Sequence, residues 1–426
     1  MTLKIALLGF GTVASGVPII LEKNREKINQ LVQKPITISK ILVRDESEKK
    51  QLKDQGLDYN FVTDINEILF DDDITVVVEL IGRIEPARTF ITKALENKKH
   101  VVSANKDLIA LHGNELLAIA SKNNVSFYYE AAVAGGIPIL RTLSTSLIAD
   151  KATKLFGVLN GTSNFMLTKM VEEGWTYNKA LQTAQELGYA ESDPTNDVEG
   201  IDAAYKLVIL SQFAFGMAID YQDVTHQGIT SITPQDVTYA QTHGYVIKLI
   251  GSIEETKSGL AVEVSPSLLP KKHPLAMVNN VMNAVYLNSI GIGESMYYGP
   301  GAGQKPTATS VVADLMALSN EIGTKNKAKL FNNYMRPEKI ANAEDIQSAY
   351  YFSVILLDGN KEMLSNLFKT CHIKLDELSF EKSAQQEELA LIKTEVITKN
   401  QLEKVKQIFL KSPKFQLCNA FRILGD

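Results

Sequence analysis

The sequence of 426 residues contains only two cysteines, Cys371 and Cys418, and both lie near its end. Two thiols placed in this way fit neither a disulfide framework nor a zinc site. We therefore expect a reducing, cytoplasmic environment. The six histidines form no closely spaced pair, which argues against a zinc-dependent alcohol dehydrogenase.

Long apolar runs and an excess charge of one sign are also missing. The longest apolar run, residues 74–81, is interrupted by Glu79 and is far shorter than the ~20 residues that cross a bilayer. The apolar start, residues 1–10, leads into a glycine turn without a cleavage pattern. The net charge is −5 with both signs well mixed, so no nucleic-acid partner and no membrane partner is expected.

The first third of the chain alternates strand-like and helix-like segments. Strands are predicted at 3–8, 36–43, 74–80, 100–103 and 126–129, and helices at 12–34 and 86–97. This alternation predicts an α/β fold with a parallel sheet covered on both faces, of the Rossmann type. We expect a dinucleotide-binding domain at 1–129, completed by about 302–345.

The rest of the chain has a different pattern of predicted strands and helices. Residues 130–301 predict a mixed α+β catalytic and dimerisation domain, with strands at 154–160, 261–265 and 284–288 and helices at 164–173, 177–187 and 200–215. Residues 349–426 read as strand, helix, strand, strand, helix, strand, which is the order of a small ferredoxin-like βαββαβ module.

A glycine turn joins the first predicted strand to the first predicted helix. Its glycines allow close approach to a pyrophosphate, and the helix N-terminus offers free N–H groups and a partial positive charge. The cofactor-binding candidates in this G-x-G-x-x-A pattern are Gly9, Phe10, Gly11, Thr12, Val13 and Ala14.

The second predicted strand ends at Arg44, and Asp45 follows. An arginine at this place favours the 2′-phosphate of NADP, whereas an acid favours NAD. The pattern therefore slightly favours NADP and leaves NAD open, and Arg44 also fits a solvated charge at a strand end.

A cluster of acids precedes the helix predicted at 200–215. Asp202 and Lys206 share one face of that helix, which continues into an apolar run and should be buried. A second lysine, Lys106, follows a strand of the predicted nucleotide-binding sheet, where ligands bind. The alternative for Asp202 and Lys206 is an exposed ion pair, and the alternative for Lys106 is a lysine that caps a strand end. The acids of the cluster are Glu191, Asp193, Asp197, Glu199 and Asp202.

Together these segments resemble the homoserine dehydrogenase family over residues 9 to about 330. The matching segments are 9–17, 79–82, 103–106, 130–138, 160–164, 188–206 and 299–315. The resemblance implies reversible NAD(P)H-dependent reduction of aspartate 4-semialdehyde to homoserine, in the biosynthesis of threonine, methionine and isoleucine. It also implies a homodimer or homotetramer.

The resemblance further assigns roles to residues. Lys206 would donate the proton, Glu191 and Asp202 would hold the substrate, and Lys106 would lie by the reacting centre and the cofactor. Gly188 and Gly303 would lie near the nucleotide. A monovalent cation, usually sodium, would bind mainly to main-chain oxygens of Glu130, Val133, Gly135 and Ile137.

The chain departs from the family at three places. Arg83 replaces a glycine, and Ala14 replaces the third glycine of the turn, which the fingerprint permits. The module at 349–426, which resembles an ACT domain, begins its first helix with an unusual segment, Asp358–Met363. In relatives such a module senses threonine. This departure favours a role in assembly as an alternative to amino-acid sensing.

The chemistry expected from these residues is acid catalysis by a lysine. A lysine side chain titrates near 10.4 when unperturbed, and the neighbouring acids favour its charged form. Lys206 and Lys106 are both candidates for the proton donor. The substrate is a zwitterion, so its ammonium needs an anion such as Glu191 or Asp197.

Two other functions fit parts of the sequence. An acyl-enzyme aldehyde dehydrogenase needs a thiolate, and no cysteine precedes Cys371. A non-catalytic nicotinamide-nucleotide sensor would keep the glycine turn without using the lysines. The set of Glu191, Asp202, Lys206 and Lys106 favours the enzyme.

Overall fold

The computed structural model describes residues 2–322, 330–332, 334–383 and 386–425. The chain forms two compact units, each built from separated segments of the sequence. The first comprises Met1–Lys151, Val208–Tyr221 and Gly299–Arg336, and the second comprises Ala152–Leu207, Gln222–Tyr298 and Pro337–Asp426. Positions 323–329 and 333, within the segment expected to complete the nucleotide-binding domain, lie outside the described residues.

A parallel sheet forms the centre of the first unit. Its strands are β1 (Leu3–Leu8), β2 (Ile36–Leu42), β3 (Phe61–Val62), β4 (Ile74–Glu79), β5 (His100–Ser103) and β6 (Phe127–Tyr128). They lie in the order β3-β2-β1-β4-β5-β6 with every neighbouring pair parallel. This is the strand order of a Rossmann sheet, in which ligands bind beyond the carboxyl ends of the strands where the order reverses. The predicted parallel α/β architecture is confirmed.

Helices connect these strands. They are α1 (Thr12–Lys23), α2 (Arg25–Leu31), α3 (Glu46–Asp54), α4 (Asn66–Leu69), α5 (Ala87–Glu96), α6 (Lys106–Asn123) and the short α7 (Ile139–Arg141). The single helix predicted at 12–34 is wrong, because α1 ends at Lys23 and α2 starts at Arg25. At the break, both the backbone N–H and the side-chain amide of Asn24 donate to the carbonyl of Ile20. A side chain that bonds the backbone in this way competes with continuation of the helix.

The middle of the chain supplies both helices and long antiparallel strands. In order they are β7 (Ala152–Val158), α8 (Gly161–Glu173), α9 (Tyr177–Glu186), α10 (Thr195–Val198), α11 (Ile201–Phe215), β8 (Thr225–His226), α12 (Pro234–Thr242), β9 (Tyr245–Glu255), β10 (Leu260–Pro270), β11 (Met282–Ser289), β12 (Gly293–Pro300) and α13 (Gln304–Glu321). The strands predicted at 154–160, 261–265 and 284–288 are present as β7, β10 and β11. The strand β9 was not predicted.

The C-terminal residues form strands and helices in the order predicted. These are β13 (Gln347–Leu356), α14 (Lys361–Thr370), β14 (Leu375–Lys382), β15 (Glu388–Thr394), the short β16 (Ile397–Thr398), α15 (Lys399–Lys411) and β17 (Phe415–Ile423). Their core contains Phe352, Phe368 and Phe409.

One mixed sheet continues from the middle of the chain into these C-terminal strands. Its order is β12-β11-β7-β9-β10-β17-β13-β15-β14. The junction is the parallel pairing of β10 with β17, in which Ser267 lies opposite Arg422 and Leu268 opposite Ile423. The C-terminal strands therefore extend a sheet that starts in the middle of the sequence.

Two helices of the first unit, α1 and α13, approach closely at Gly16. A Cβ atom at this position would lie 2.7 Å from the carbonyl oxygen of Gln304 and 2.8 Å from the Cβ of Ala308. No side chain fits at such distances without displacing the backbone of α13. Gly16 therefore sets the spacing of the helix that follows the glycine turn.

The substitution Gly16→Ala should destabilise the protein by about 1–3 kcal/mol, since it overpacks a close helix contact. The matched control is Gly113→Ala in α6, where the nearest atom to an added Cβ is at 3.4 Å. That change should stabilise by about 0.5–1 kcal/mol, because alanine loses less entropy in a helix. Urea unfolding of both variants measures the difference. Shifts of the same sign would contradict the proposed close packing at Gly16.

Candidate active site

The glycine turn leaves the N-terminus of α1 open. Gly9 has a φ of +89°, a left-handed conformation that glycine adopts without strain. Gly11 is the N-cap residue of α1, and no side chain of the described structure caps this helix. A Cβ on Gly11 would have no protein atom within 4 Å. The first-turn N–H groups and the open space beside them suit a bound pyrophosphate.

The other residues of the turn divide between surface and core. Thr12 is exposed, Val13 is half-buried and Ala14 is buried. The ring of Phe10 packs against Phe61, with their centroids 5.7 Å apart. Phe10 therefore anchors the turn to the sheet.

Arg44 and Asp45 follow β2, as predicted. Arg44 has an 80% exposed side chain whose Nε lies 3.0 Å from an Asp45 oxygen. The other oxygen of Asp45 accepts from the N–H of Glu48 at 2.8 Å and caps α3. Both oxygens of this acid are thus engaged by protein groups, whereas the guanidinium extends into solvent.

A buried carboxylate organises the ends of β4 and β5. Glu79 accepts hydrogen bonds from the N–H groups of Ile81 and Gly82, at 2.9 and 3.1 Å, and from Ser103 Oγ at 2.7 Å. Burial raises the pKa of the Glu79 carboxyl. This acid ties together the two loops that follow neighbouring strands at the ligand-binding edge of the sheet.

Lys106 begins α6 directly after this network. Asn105 caps the helix by accepting from the N–H of Leu108 at 3.2 Å, and its amide nitrogen donates to the carbonyl of Arg83 at 2.6 Å. The side chain of Lys106 is 33% exposed and lies 3.4 Å from Asp107. Lys106 therefore stands at the carboxyl end of β5, as the sequence predicted, with a partly exposed side chain.

In the second unit, Lys206 and Asp202 form a buried pair. Each residue is 7% exposed. The Lys206 amine donates to Asp202 Oδ2 at 2.7 Å and to the carbonyl oxygen of Leu159 at 2.5 Å. An ammonium has three N–H donors, so within the described residues one is left for a further acceptor.

Asn160 extends this pair to a second acid. Its amide nitrogen donates to Asp202 Oδ2 at 2.9 Å and to Asp197 Oδ1 at 2.7 Å. The sequence indicated the two acids, and it included Asn160 only in the segment 160–164 that resembles the family. Its position immediately before the helix α8 was the available signal, because asparagine is a frequent N-cap.

Glu191 and Gly188 lie at the surface. Glu191 is exposed, and its carbonyl oxygen accepts from Gln185. Gly188 is exposed just after α9, with a φ of +72°. Tyr189, between them, is held through its carbonyl oxygen by Thr162 Oγ1 at 2.6 Å. Of the predicted substrate residues, the structure brings Asp197 and Asp202 together and leaves Glu191 at the surface.

Gly303 and the turn at 130–137 belong to the first unit. Gly303 is the N-cap residue of α13. In the turn, the carbonyl oxygen of Gly135 accepts from Ser310 Oγ at 2.6 Å, and that of Ile137 accepts from the N–H of Ile139 at 2.7 Å. Val133 is buried.

Two buried acids flank that turn. The Glu130 carboxylate accepts from the N–H groups of Leu140 and Arg141 at 2.9 and 2.7 Å, and Asp314 forms an ion pair with Arg141. Burial raises the pKa of Glu130 to about 8 and that of Asp314 to about 6. The Arg141 guanidinium thus pairs with Asp314, whereas its backbone N–H donates to Glu130.

Two negative findings apply to the described ranges. They contain no group of three or more His, Cys, Asp or Glu side chains arranged to hold a metal ion. No helix in them combines the length and apolar character needed to cross a membrane.

A Rossmann sheet with an open helix N-terminus, together with a buried lysine–carboxylate pair, defines an oxidoreductase that uses a nicotinamide dinucleotide. Family models agree: residues 9–130 match the homoserine dehydrogenase NAD-binding domain and residues 138–316 match homoserine dehydrogenase. The chain belongs to the homoserine dehydrogenase family. It is an NAD(P)-dependent oxidoreductase of amino-acid biosynthesis, which removes the non-catalytic sensor as an alternative.

Individual relatives agree with this assignment. The homoserine dehydrogenase of Lactococcus lactis is 51% identical over the full length of both chains. A crystal structure of the enzyme from Thiobacillus denitrificans matches with a TM-score of 0.92 at 34% identity, over 99% of this chain and 98% of the other. A hyperthermophilic archaeal homoserine dehydrogenase in complex with NADPH matches with a TM-score of 0.63 at 27% identity, over 77% of this chain and all of the other.

The Glu79 network gives a prediction at this site. Glu79→Leu leaves the part-buried N–H groups of Ile81 and Gly82 and the buried Ser103 hydroxyl without their acceptor, and an unsatisfied buried group costs about 1–3 kcal/mol. Glu79→Gln keeps one oxygen for the two N–H groups and should cost far less. Urea unfolding measures stability, and NADPH fluorescence measures cofactor affinity, which we expect to fall only in Glu79→Leu. Equal losses in the two variants would contradict the hydrogen-bonding role.

Proposed function

We propose that Lys206 is the proton donor in the reversible reduction of aspartate 4-semialdehyde to homoserine. The observation that carries this assignment is the fixed position of its amine. Two acceptors, Asp202 and the Leu159 carbonyl, hold it, and within the described residues one N–H remains for the aldehyde oxygen of the substrate. Lys106 is more exposed and is the weaker candidate.

Reduction needs a hydride at the carbonyl carbon and a proton at its oxygen. When bound, the reduced nicotinamide supplies the hydride. The Lys206 ammonium stabilises the negative charge that develops on the oxygen and then protonates it. In the reverse direction the same amine must first lose its proton, so oxidation of homoserine should be favoured by alkaline solution.

Asp202 pairs with this amine inside the protein. A buried cation without a partner is costly, and a carboxylate at hydrogen-bonding distance offsets that cost. We assign the ammonium of the substrate to the remaining acids, Asp197 and Glu191. Glu191 is exposed in the structure, so binding of the substrate ammonium by Glu191 requires that the loop at 188–193 approach the bound substrate.

Lys206→Met should lower kcat by about 10²–10⁴-fold, the usual contribution of a general acid. Binding of NADPH, followed by its fluorescence, should be retained. The control variants are Lys179→Met, a lysine that packs on Trp175, and Lys106→Met. Lys179→Met should be as active as the wild type. If Lys106→Met loses kcat while Lys206→Met keeps it, the proton donor is Lys106.

For the cofactor we propose NADP in preference to NAD. Asp45, the acid that would bind the ribose hydroxyls, is engaged by the N-terminus of α3 and by Arg44. The exposed Arg44 guanidinium is suited to a 2′-phosphate. Lys106, Gly188 and Gly303 are proposed to line the nucleotide and nicotinamide on the basis of the family resemblance.

Arg44→Ala should raise KM for NADPH about 10–100-fold, the equivalent of one lost charge-assisted hydrogen bond of about 1.5–3 kcal/mol. KM for NADH should change little, because NADH lacks the phosphate. Arg25→Ala is the control, since Arg25 pairs with Glu22 on the surface. Equal increases for the two cofactors would show that Arg44 does not recognise the phosphate. Steady-state kinetics at fixed salt give both values.

A monovalent cation, with sodium as the candidate, is proposed at the turn 130–137. The ligands would be mainly main-chain oxygens, which suit a hard cation. The surroundings fit, because two buried acids lie at this turn: Asp314 pairs with the Arg141 guanidinium, and Glu130 accepts from the backbone N–H of Arg141. The cation would stabilise the turn electrostatically. The proposed ligands are Glu130, Val133, Gly135 and Ile137.

The C-terminal residues are proposed to be an ACT-like module at 349–426 that serves assembly or regulation. Its strands are ordered β17-β13-β15-β14, consistent with a ferredoxin-like arrangement. We likewise propose that the functional domains are residues 1–129, completed by about 302–345, residues 130–301 and residues 349–426.

We also propose a homodimer or homotetramer in a reducing, cytoplasmic environment. β12 lies at the edge of the large sheet, and Ile290, Ile292, Met296 and Tyr298 expose apolar surface on and beside it. An exposed apolar strand edge favours association with another chain. Both cysteines are free.

A further inference from the structure

Asn160 connects the end of β7 to the start of α8 and is only 6% exposed. Its Oδ1 accepts from the N–H and the hydroxyl of Ser163, at 2.8 and 2.9 Å. Its Nδ2 donates to Asp197 at 2.7 Å and to Asp202 at 2.9 Å. One side-chain amide therefore caps a helix with its oxygen and binds two carboxylates with its nitrogen.

The orientation of this amide is fixed by its partners. Carboxylates only accept hydrogen bonds, so the nitrogen must face Asp197 and Asp202. The N–H of Ser163 only donates, so the oxygen must face the helix. Rotation by 180° would set an oxygen against two anions and an NH₂ group against an N–H donor.

The same short segment also fixes both acceptors of Lys206. Leu159, whose carbonyl is one acceptor, is the residue before Asn160, and Asp202 Oδ2 is shared between the Asn160 amide and the Lys206 ammonium. Displacement of Asn160 would therefore move both oxygens that hold the amine. Asn160 is thus in contact with Asp197, with Asp202 and with the N-terminus of α8 at once.

We propose that Asn160 is the positioning residue of the proton donor. Its amide separates the roles of two neighbouring acids: Asp202 is held toward Lys206, and Asp197 is directed to the ammonium of the substrate. This inference rests on the proposed role of Lys206. It adds a residue that does not touch the reacting atoms but determines where the amine stands and which acid it pairs with.

Two substitutions separate this role from helix capping. Aspartate and serine are both good N-cap residues, so Asn160→Asp and Asn160→Ser each keep an acceptor for Ser163. Asn160→Ser removes the donor to the acids without adding charge. Asn160→Asp replaces the donor by a third carboxylate beside Asp197 and Asp202. In that variant a third carboxylate is added beside the pair that Asp202 forms with the Lys206 amine, and the added negative charge favours the protonated amine.

A matched control exists at another helix. Asn360 caps α14 by accepting from the N–H of Met363 at 2.9 Å and is exposed. Asn360→Asp makes the same chemical change at an N-cap remote from the acids in sequence. It should leave kcat and the pH profile unchanged.

The experiment measures kcat, KM for homoserine and the pH dependence of homoserine oxidation for the wild type and the three variants. Thermal melting and NADPH fluorescence accompany these measurements. We expect kcat of Asn160→Asp to fall by about 10²-fold, the effect of a misplaced catalytic group, and its rate increase to move to higher pH. Asn160→Ser should lose kcat more than it changes KM, without a shift to higher pH. Cofactor affinity should be retained in both.

Wild-type kcat and pH profile in Asn160→Ser and Asn160→Asp would overturn the proposal. So would equal losses of kcat in the two variants with an unshifted profile, because capping alone would then account for them. If Asn160→Asp does not fold, the kcat and KM of Asn160→Ser decide. Lys206→Met is measured alongside: full activity in that variant would overturn the role of Lys206 itself, whereas its loss together with unaffected Asn160 variants would overturn only the positioning role.

Discussion

Burial of an ammonium inside a protein is the constraint on which the cluster around Lys206 depends. A lysine amine removed from water must find oxygen atoms at hydrogen-bonding distance, or its charged form is lost. In this chain a carboxylate one helical turn away, Asp202, and a carbonyl at the end of β7, that of Leu159, meet this demand. A second acid lies nearby, and the amide of Asn160 offsets the repulsion between Asp197 and Asp202 by donating to both.

The first unit presents the opposite situation, a helix N-terminus suited to an anion. The positive charge there would come from backbone dipoles at the start of α1 rather than from a side chain. The turn must stay open at Gly11, while the helix behind it packs tightly on α13 at Gly16. Glu79 holds the adjacent loops in place, since its buried carboxylate accepts hydrogen bonds from two N–H groups and a hydroxyl.

The large mixed sheet has a consequence for the C-terminal strands. Because β17 pairs with β10, the backbone of these strands is hydrogen-bonded to a strand of the middle segment. A buried network reinforces the junction: Asp236 in α12 accepts from Tyr351 in β13 at 2.8 Å and from Asn419 in β17 at 2.8 Å.

The sequence by itself determined the parallel sheet, the glycine turn, the Lys206–Asp202 pair and the βαββαβ order of the C-terminus. These features depend on local rules: alternation of apolar segments, residues four apart on a helix, and glycines between strand and helix. The break at Asn24 escaped prediction because a single side chain bonds the backbone there. The strand β9 escaped because it is buried on both faces and shows no alternation.

Only the tertiary structure decided which acids meet Lys206. Five carboxylates lie between 191 and 202, and their spacing does not separate them. The fold selects Asp202 and Asp197, because the end of β7 brings Asn160 and Leu159 to the N-terminal turn of α11 across some forty residues of chain. It leaves Glu191 at the surface. Contacts between residues so far apart in sequence follow from how strands and helices pack, and no local sequence pattern predicts them.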